Sequence, residues 1–469
     1  MDVLRELNNL LNHEDLHDDN FFEKTLDYLL QRFINFKDLD IIKIIEWVKL
    51  QDKAIPLELV WVFQKTNFLH FSTYICQNPR IISAIGTSFR YLIWGDRIGN
   101  KERHAIVVKD LLAELVNFEN YSQRCNYKLC QQLLHYVVKQ VIDKIKEDEN
   151  VHSPLNYLDG LFHTSNVVGS KLRSFCILHL RMLIQQDQDV VSLTDAVQYQ
   201  AKSYTSNKIS SVFRNFFRQI FQFISLDDTI AEYQRIVEMQ LFNWKWFLVS
   251  ISIMIFTRPE SASVMRKVIE NWLNTACITE NSCLLSIALL SARQCCAENS
   301  DLFGSYSSWF GGIQIQSSLG FNFFMQNLSH LVPLEPALYL KIHINKVPTP
   351  PSHCLSTLSD YVTLAKTRLD DLNETTDYMG LFNEYVSTEQ EGREEDISKV
   401  VQYYAEHGEI LKTVLEASVF RRQFYEKVFL PELLKVSESS DFARGKLIRK
   451  LHSIGKIPVN LFKQWIEIN

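Results

Sequence analysis

The chain has 469 residues, more than one hydrophobic core usually spans, so two or three domains or a repeat array is expected. Apolar residues make up 46% and charged residues 22%, the balance of a globular protein rather than a disordered one. A net charge of −6 argues against a protein that coats nucleic acid along its length, since that affinity needs Lys and Arg to displace counterions. With only 14 Gly and 11 Pro, turn-makers are scarce, which favours long helices joined by short connections.

Residues 1–11 carry Asp2, Arg5 and Glu6 and no apolar centre, so they are not expected to act as a secretory signal. His13-Glu14-Asp15-Leu16-His17 has the spacing that puts two imidazoles on one helical face for zinc. It runs into Asp18-Asp19-Asn20 and no sheet-bearing domain precedes it, so it reads as a solvated acidic helix end and no metal is expected.

Helical period then dominates. Leu26, Leu29, Leu30, Phe33 and Ile34 form one apolar stripe, and Leu111, Leu112, Leu115, Val116 and Phe118 a looser one. Leu129, Leu133, Leu134, Val137, Val138 and Val141 form a third, with Lys139 and Gln140 on its wet side. Trp246–Phe256 is the longest apolar run and falls short of the roughly 20 residues that span a bilayer, so it predicts a buried helix and no membrane partner. Gly311–Ser317 alternates briefly like a strand. Tyr361, Leu364, Ala365, Leu369 and Leu372 make a further stripe, with Lys366 and Asp370 four apart on the exposed face as a predicted ion pair. Thr388–Asp396 is a polar, charged run that reads as a mobile loop, and Pro431 should kink or end the helix that contains it.

The fold class that follows is all-α, an irregular α-solenoid of stacked antiparallel helix pairs whose repeat matches none of the common named classes. Three segments are predicted: an amino-terminal helical segment over 1–150, a central helical solenoid over 151–332, and a helical segment over 333–469 with the charged loop near 388–396.

Catalytic signatures are sparse. The nine cysteines are odd in number, irregularly spaced and mostly set in apolar runs, which reads as buried reduced thiols. No phosphate-binding glycine loop and no nucleophile elbow occurs, so neither enzyme activity nor a cofactor is expected. A basic stretch, Arg444, Lys446, Arg449, Lys450 and Lys456 with Arg421 and Arg422 upstream, supports an alternative reading as a nucleic-acid-binding solenoid using residues 421–456. Glu432, Glu438 and Asp441 interleave with it, which favours an ordinary solvated face and at most weak or indirect contact.

Two stretches carry a more specific pattern. One runs Leu331-Val332-Pro333-Leu334-Glu335-Pro336, then Tyr339-Leu340-Lys341-Ile342-His343-Ile344, and on to Asp360-Tyr361-Val362-Thr363-Leu364-Ala365-Lys366-Thr367-Arg368-Leu369-Asp370-Asp371-Leu372. The other runs Glu416-Ala417-Ser418-Val419-Phe420-Arg421-Arg422-Gln423-Phe424-Tyr425 and ends in Phe429-Leu430-Pro431-Glu432-Leu433-Leu434. With Asp195-Ala196-Val197-Gln198, Trp309-Phe310, Met379-Gly380-Leu381 and Lys456-Ile457-Pro458, they make the chain resemble the amino-terminal part of the Fanconi anaemia group A family. The likeness is densest from Thr194 to Pro458 and faintest over the first 90 residues, and it does not reach the family's carboxy-terminal half.

The resemblance implies a non-enzymatic scaffold of the nuclear Fanconi anaemia core complex, which supports monoubiquitination in DNA interstrand-crosslink repair. It implies binding to the group G protein and other core-complex subunits, self-association as a homodimer, and a nuclear location with a cytoplasmic pool. The family's basic import segment has no counterpart in the acidic residues 1–20, and its nucleic-acid binding belongs to the carboxy-terminal half, so neither is carried over. The cations of the two stretches, Lys341, Lys366, Arg368, Arg421 and Arg422, are the predicted exposed partner-binding positions.

Overall fold

A computed structural model describes residues 4, 7–8, 24–29, 31, 38–51, 53–94, 101–118, 124–147, 157–162, 167–185, 192–240, 242–351, 353–372, 374, 381, 389–435 and 442–468. The H-E-x-x-H match lies outside them, as does Cys125's side chain. The described residues are all-α, with no strand among them. By internal contacts the chain forms two compact units: residues 1–190 with 206–257, and residues 191–205 with 258–469. This cut differs from the three consecutive sequence segments.

The first unit contains α1 (Asp38–Lys49), α2 (Leu57–Lys65), α3 (Phe71–Gln77), α4 (Ile82–Trp94), α5 (Lys101–Asn117), α6 (Arg124–Glu147), α7 (Tyr157–Phe162) and α8 (Gly169–Ile184). The second begins with α9 (Leu193–Ser203), and the chain returns to the first for α10 (Ser211–Phe223), α11 (Leu226–Met239) and α12 (Trp244–Thr257). Back in the second unit follow α13 (Ser261–Thr279), α14 (Ser282–Glu298), α15 (Ser300–Phe303), α16 (Tyr306–Gly311), α17 (Ser318–Leu331), α18 (Ala337–Asn345) and α19 (Leu355–Asp371). It closes with α20 (Glu389–His407), α21 (Lys412–Phe420), α22 (Arg422–Phe424), α23 (Leu430–Leu433), α24 (Phe442–Ser453) and α25 (Val459–Ile468). Within each unit helices pack mainly on neighbours in sequence: α4 on α5 and α6, α8 on α10, α11 and α12, α13 on α14, and α19 on α17 and α18. Such local stacking is the mark of an irregular α-solenoid.

In the first unit, Phe213, Phe216, Phe217, Ile220 and Phe221 give α10 one fully apolar stripe, and Phe213 stacks on Trp246 of α12 at 4.9 Å. Phe247–Ile255 of α12 are all buried, as its apolar run predicts. No helix among the described residues is long and apolar enough to cross a membrane. Glu232 of α11 anchors α8 by accepting from Arg181 Nε and Nη2 at 2.9 and 3.1 Å. Gly86 in the middle of α4 lets the Tyr136 ring of α6 lie on its backbone; a Cβ there would stand 2.1 Å from Tyr136 Cδ1. Gly86→Ala is therefore expected to lower the unit's stability by about 1–3 kcal/mol despite its better helix propensity, read as a fall in thermal midpoint. An unchanged or raised midpoint would contradict the packing.

In the second unit, α13 ends at Glu280, a left-handed residue at φ 53°, and Asn281 starts α14 by accepting from Leu284 N at 3.0 Å. Two residues thus turn the chain into an antiparallel hairpin. Leu285–Cys295 of α14 are buried without interruption, because α9, α13, α15 and α16 all pack on it. Gln200 fastens α9 there by donating to Leu290 O at 2.5 Å and Gln294 Oε1 at 2.9 Å.

The end of the chain has a core of its own, from Leu381, Ile397 and Val400 through Phe424, Phe429 and Leu433 to Leu447, Leu451 and Ile457. The acidic run expected as a loop is here the start of α20. Glu, Gln and Arg are strong helix formers, Lys399 pairs with Glu395 one turn earlier at 2.7 Å, and Asp396 is buried, accepting from Leu381 N. Pro431 does not end its helix: a π turn over Tyr425–Phe429 precedes it and widens the ladder where its missing amide would break an α-helix. The eight cysteines with described side chains are all free thiols.

Candidate interaction surface

The first signature stretch is built around a buried polar cluster. Pro336 precedes α18 and turns Glu335 inward, where its carboxylate takes two hydrogen bonds from Arg293 of α14: Nη1 to Oε2 at 2.9 Å and Nη2 to Oε1 at 2.6 Å. Both side chains are 1% exposed. Tyr339 lies under the guanidinium at 3.9 Å and Tyr306 beside it at 5.3 Å, so rings replace the water that the cation has lost. Burial works against the guanidinium charge, but the Glu335 carboxylate outweighs it and holds Arg293 above its usual range.

One turn on, His343 joins three elements. Its Nε2 contacts Tyr306 Oη at 3.1 Å, its Nδ1 contacts Tyr361 Oη of α19 at 3.0 Å, and its ring stacks on Phe310 at 4.2 Å. A neutral imidazole donates from one nitrogen and accepts at the other, so one hydroxyl accepts and the other donates. Burial, and then the Arg293 charge, push the His343 pKa well below its ordinary value, while burial raises Tyr306 and Tyr361. The cluster is thus one fixed charge pair plus neutral hydrogen bonds. It can lock α14, α16, α18 and α19 in register; closed to solvent, it cannot exchange protons with a substrate.

Of the five predicted partner-binding cations, Lys341 is not exposed. Tyr339–His343 are all buried, so the middle of α18 has no wet face, and Lys341 Nζ meets Glu374 at 2.9 Å. Arg368 is half-buried and donates to Pro333 O at 3.2 Å. Lys366 points outward but makes no ion pair with Asp370, and Leu364 and Leu372 of the predicted stripe are exposed as well. Arg421 is half-buried over the Phe424 ring at 4.1 Å. Arg422 is exposed and pairs with Glu426 at 2.7 Å.

The basic stretch divides similarly. Arg444 is committed to structure: its Nε and Nη2 donate to Leu433 O and Glu432 O at 2.9 and 2.7 Å, satisfying carbonyls at the end of α23. Lys446 is exposed, 4.2 Å from the Phe442 ring centre, and Arg449 and Lys450 are exposed beside it on α24. Sequence reasoning missed Arg293, Glu335 and His343 as a unit. The available signal was a charged or titratable residue inside an apolar helical run, as at Leu340-Lys341-Ile342-His343-Ile344.

Comparison with known proteins matches two family profiles. The profile described as "Fanconi anaemia group A protein N terminus" matches residues 46–374. That described as "FANCA helical domain" matches residues 390–468, nearly the span of the separate terminal core. The chain is 28% identical over 359 residues to the Fanconi anemia group A protein of Homo sapiens, covering 72% of this chain and 24% of that one. It is 30% identical over 311 residues to the Fanconi anemia group A protein homolog of Mus musculus, covering 63% of this chain and 21% of that one. The chain therefore spans about a quarter of the length of the curated relatives it matches.

Proposed function

Because the chain belongs to the Fanconi anaemia group A family, we propose that it is a non-enzymatic scaffold of the nuclear Fanconi anaemia core complex. In this role it supports monoubiquitination in DNA interstrand-crosslink repair. Its partners are the group G protein and other core-complex subunits, with a second copy of itself as a further one. The observation that carries this reading is where the titratable side chains of the first signature stretch go: Glu335, Lys341 and His343 are all buried, Glu335 against Arg293, and hold helices together. A signature devoted to holding helices in register suits a protein whose product is a shaped surface. Lys366 and Arg422 remain the outward-facing partner contacts, with Arg368 and Arg421 shaping the surface beside them.

Capture of the tagged chain from nuclei, followed by mass spectrometry, tests this directly. Recovery of a group G-type subunit is expected. A bait recovered with no Fanconi subunit above the untagged control overturns it.

The exposed row Lys446, Arg449 and Lys450 favours a second reading, in which α24 contacts a nucleic-acid backbone. Three phosphate contacts would give a log–log salt slope of about −2.7, and Lys446→Gln with Arg449→Gln and Lys450→Gln should flatten it to near zero. Duplex binding that ignores salt, or survives the triple substitution, removes this reading and leaves the scaffold reading intact.

A further inference from the structure

Between α16 and α17 the chain runs without helix or turn over Ile313–Ser317, and burial alternates residue by residue. Ile313 and Ile315 are each 8% exposed, Gln314 and Gln316 face solvent, and Ser317 has extended angles, φ −77° and ψ 127°. That is the period of a β-strand, set in an otherwise helical unit. No neighbouring strand pairs with it among the described residues. The amides of Gln314, Ile315 and Gln316 and the carbonyls of Ile313 to Gln316 take no hydrogen bond from described residues; only the Ile313 amide is used, donating to Phe310 O at 3.2 Å.

This segment is one wall of a groove of about 680 Å³ whose other wall is the outer face of α13, with Leu273, Asn274, Cys277 and Ile278. The floor is closed because α17 starts hard against the end of α13: a Cβ on Gly320 would stand 3.0 Å from Cys277 O. One apolar side chain of the lining stands out into solvent, Ile278 at 80% exposure. The charged residues lining the groove are Arg266 and Glu270, paired at 3.0 Å, and Arg266 also donates to Phe303 O at 2.7 Å. The lining is therefore mixed and electrically neutral, with Leu273, Ile278, Ile313 and Ile315 set among Asn274, Gln314 and Gln316, and the unpaired backbone groups of every second residue of the segment face the same edge.

We propose that Ile313–Ser317 is an open β-edge that takes an extended, uncharged segment of a partner protein, laid as an added strand against α13. Backbone pairing supplies the register, and alternate β-branched or aromatic side chains of the guest enter beside Leu273 and Ile278. A charged guest residue on the inward face would lose its water and find Arg266 and Glu270 already paired, so the groove selects against it. An edge with isoleucines at alternate positions is also a natural template for unwanted pairing, so occupancy by a dedicated partner would protect it. This surface stands whether or not the scaffold reading holds.

The test uses the full chain and an eight-residue fluorescent peptide of alternating Val and Thr, beside the same peptide N-methylated at alternate amides. Hydrogen exchange at Gln314, Ile315 and Gln316 is expected to be fast in the free chain; with the unmodified peptide it should be at least tenfold slower at Gln314 and Gln316, whose N–H groups face the same edge, and unchanged at Ile315. N-methylation and Gln316→Pro should each weaken peptide binding at least tenfold, one by blocking the guest's donors and the other by removing the host's. Ile278→Lys alters a side chain that the fold leaves in solvent, and should weaken binding comparably without changing the thermal midpoint. Slow exchange in the free chain, meaning that the chain covers its own edge, overturns the proposal. So does equal binding of the N-methylated peptide, or no binding at all.

Discussion

Arg293→Met is expected to cost the second unit about 3–5 kcal/mol, because it leaves the Glu335 carboxylate buried without its counter-charge. The isolated exchange of water for protein gives an ion pair little, and often costs stability; the penalty arises when one partner is stranded. Here the stranding is severe. Glu335 is 1% exposed, both its oxygens are taken up by Arg293, and the nearby aromatic rings offer no second cation. Glu335→Leu should hurt similarly, by stranding the guanidinium between Tyr306 and Tyr339. The double substitution Arg293→Met with Glu335→Leu should recover most of the loss, since it replaces two charges with apolar groups of similar volume. Thermal unfolding reads this out: a loss of that size in a unit of this length lowers the midpoint by on the order of 10 °C. If each single variant costs under about 1 kcal/mol, the pair is not the lock described. If the double variant is worse than either single one, the rings require the charge.

Much of the helical architecture was legible because it rests on local period. The stripes over 111–118 and 129–141 became the buried faces of α5 and α6, and the apolar run over 246–256 became the buried α12. What failed depended on distance in sequence or on context. Lys341 looks like an outward cation until Glu374 is brought to it and the middle of α18 is enclosed on every side. Likewise Arg444 reads as a nucleic-acid contact until the carbonyls of Glu432 and Leu433 are seen to need a donor. Composition alone cannot separate a charged loop from an exposed helix laced by pairs such as Glu395–Lys399, which is why the start of α20 was misread. The brief alternation at Gly311–Ser317 was visible but had no strand partner in the sequence, and that same lack is what leaves its backbone open.

Each unit should also lose stability in acid through a histidine sealed in its core. In the first unit His179 contacts Phe175 O at 2.8 Å within α8 and packs edge-on to Phe175 at 4.6 Å, and burial pushes its pKa down to about 4. Unfolded, the same ring has a pKa near 6.5. Above that value both states hold it neutral and it contributes no pH dependence. Below it, the unfolded chain binds a proton that the folded chain refuses, so stability falls as pH drops, by about 1.4 kcal/mol per pH unit. Between pH 6.5 and the folded pKa of about 4 the loss from His179 sums to about 3 kcal/mol. His343 has the same sign in the second unit, with its pKa depressed by burial and then by Arg293, so its decline also begins near 6.5. Two carboxylates frame the window. Glu232 is held low by Arg235 and Arg181 against the cost of burial and loses its contribution only at more acid pH; Asp396, raised by burial, titrates in the opposite sense. Measurements from pH 7.5 to 5 therefore isolate the histidines, provided variants are compared with the parent. His179→Leu should make the acid limb of the first unit shallower, leaving the smaller part that comes from His135, held low by burial and then by Arg181 and Lys139. His343→Leu should flatten that of the second, whatever each does to stability at neutral pH. Parallel acid limbs in parent and variant would mean that the rings protonate in the folded state, and that the closed cluster around His343 opens to water.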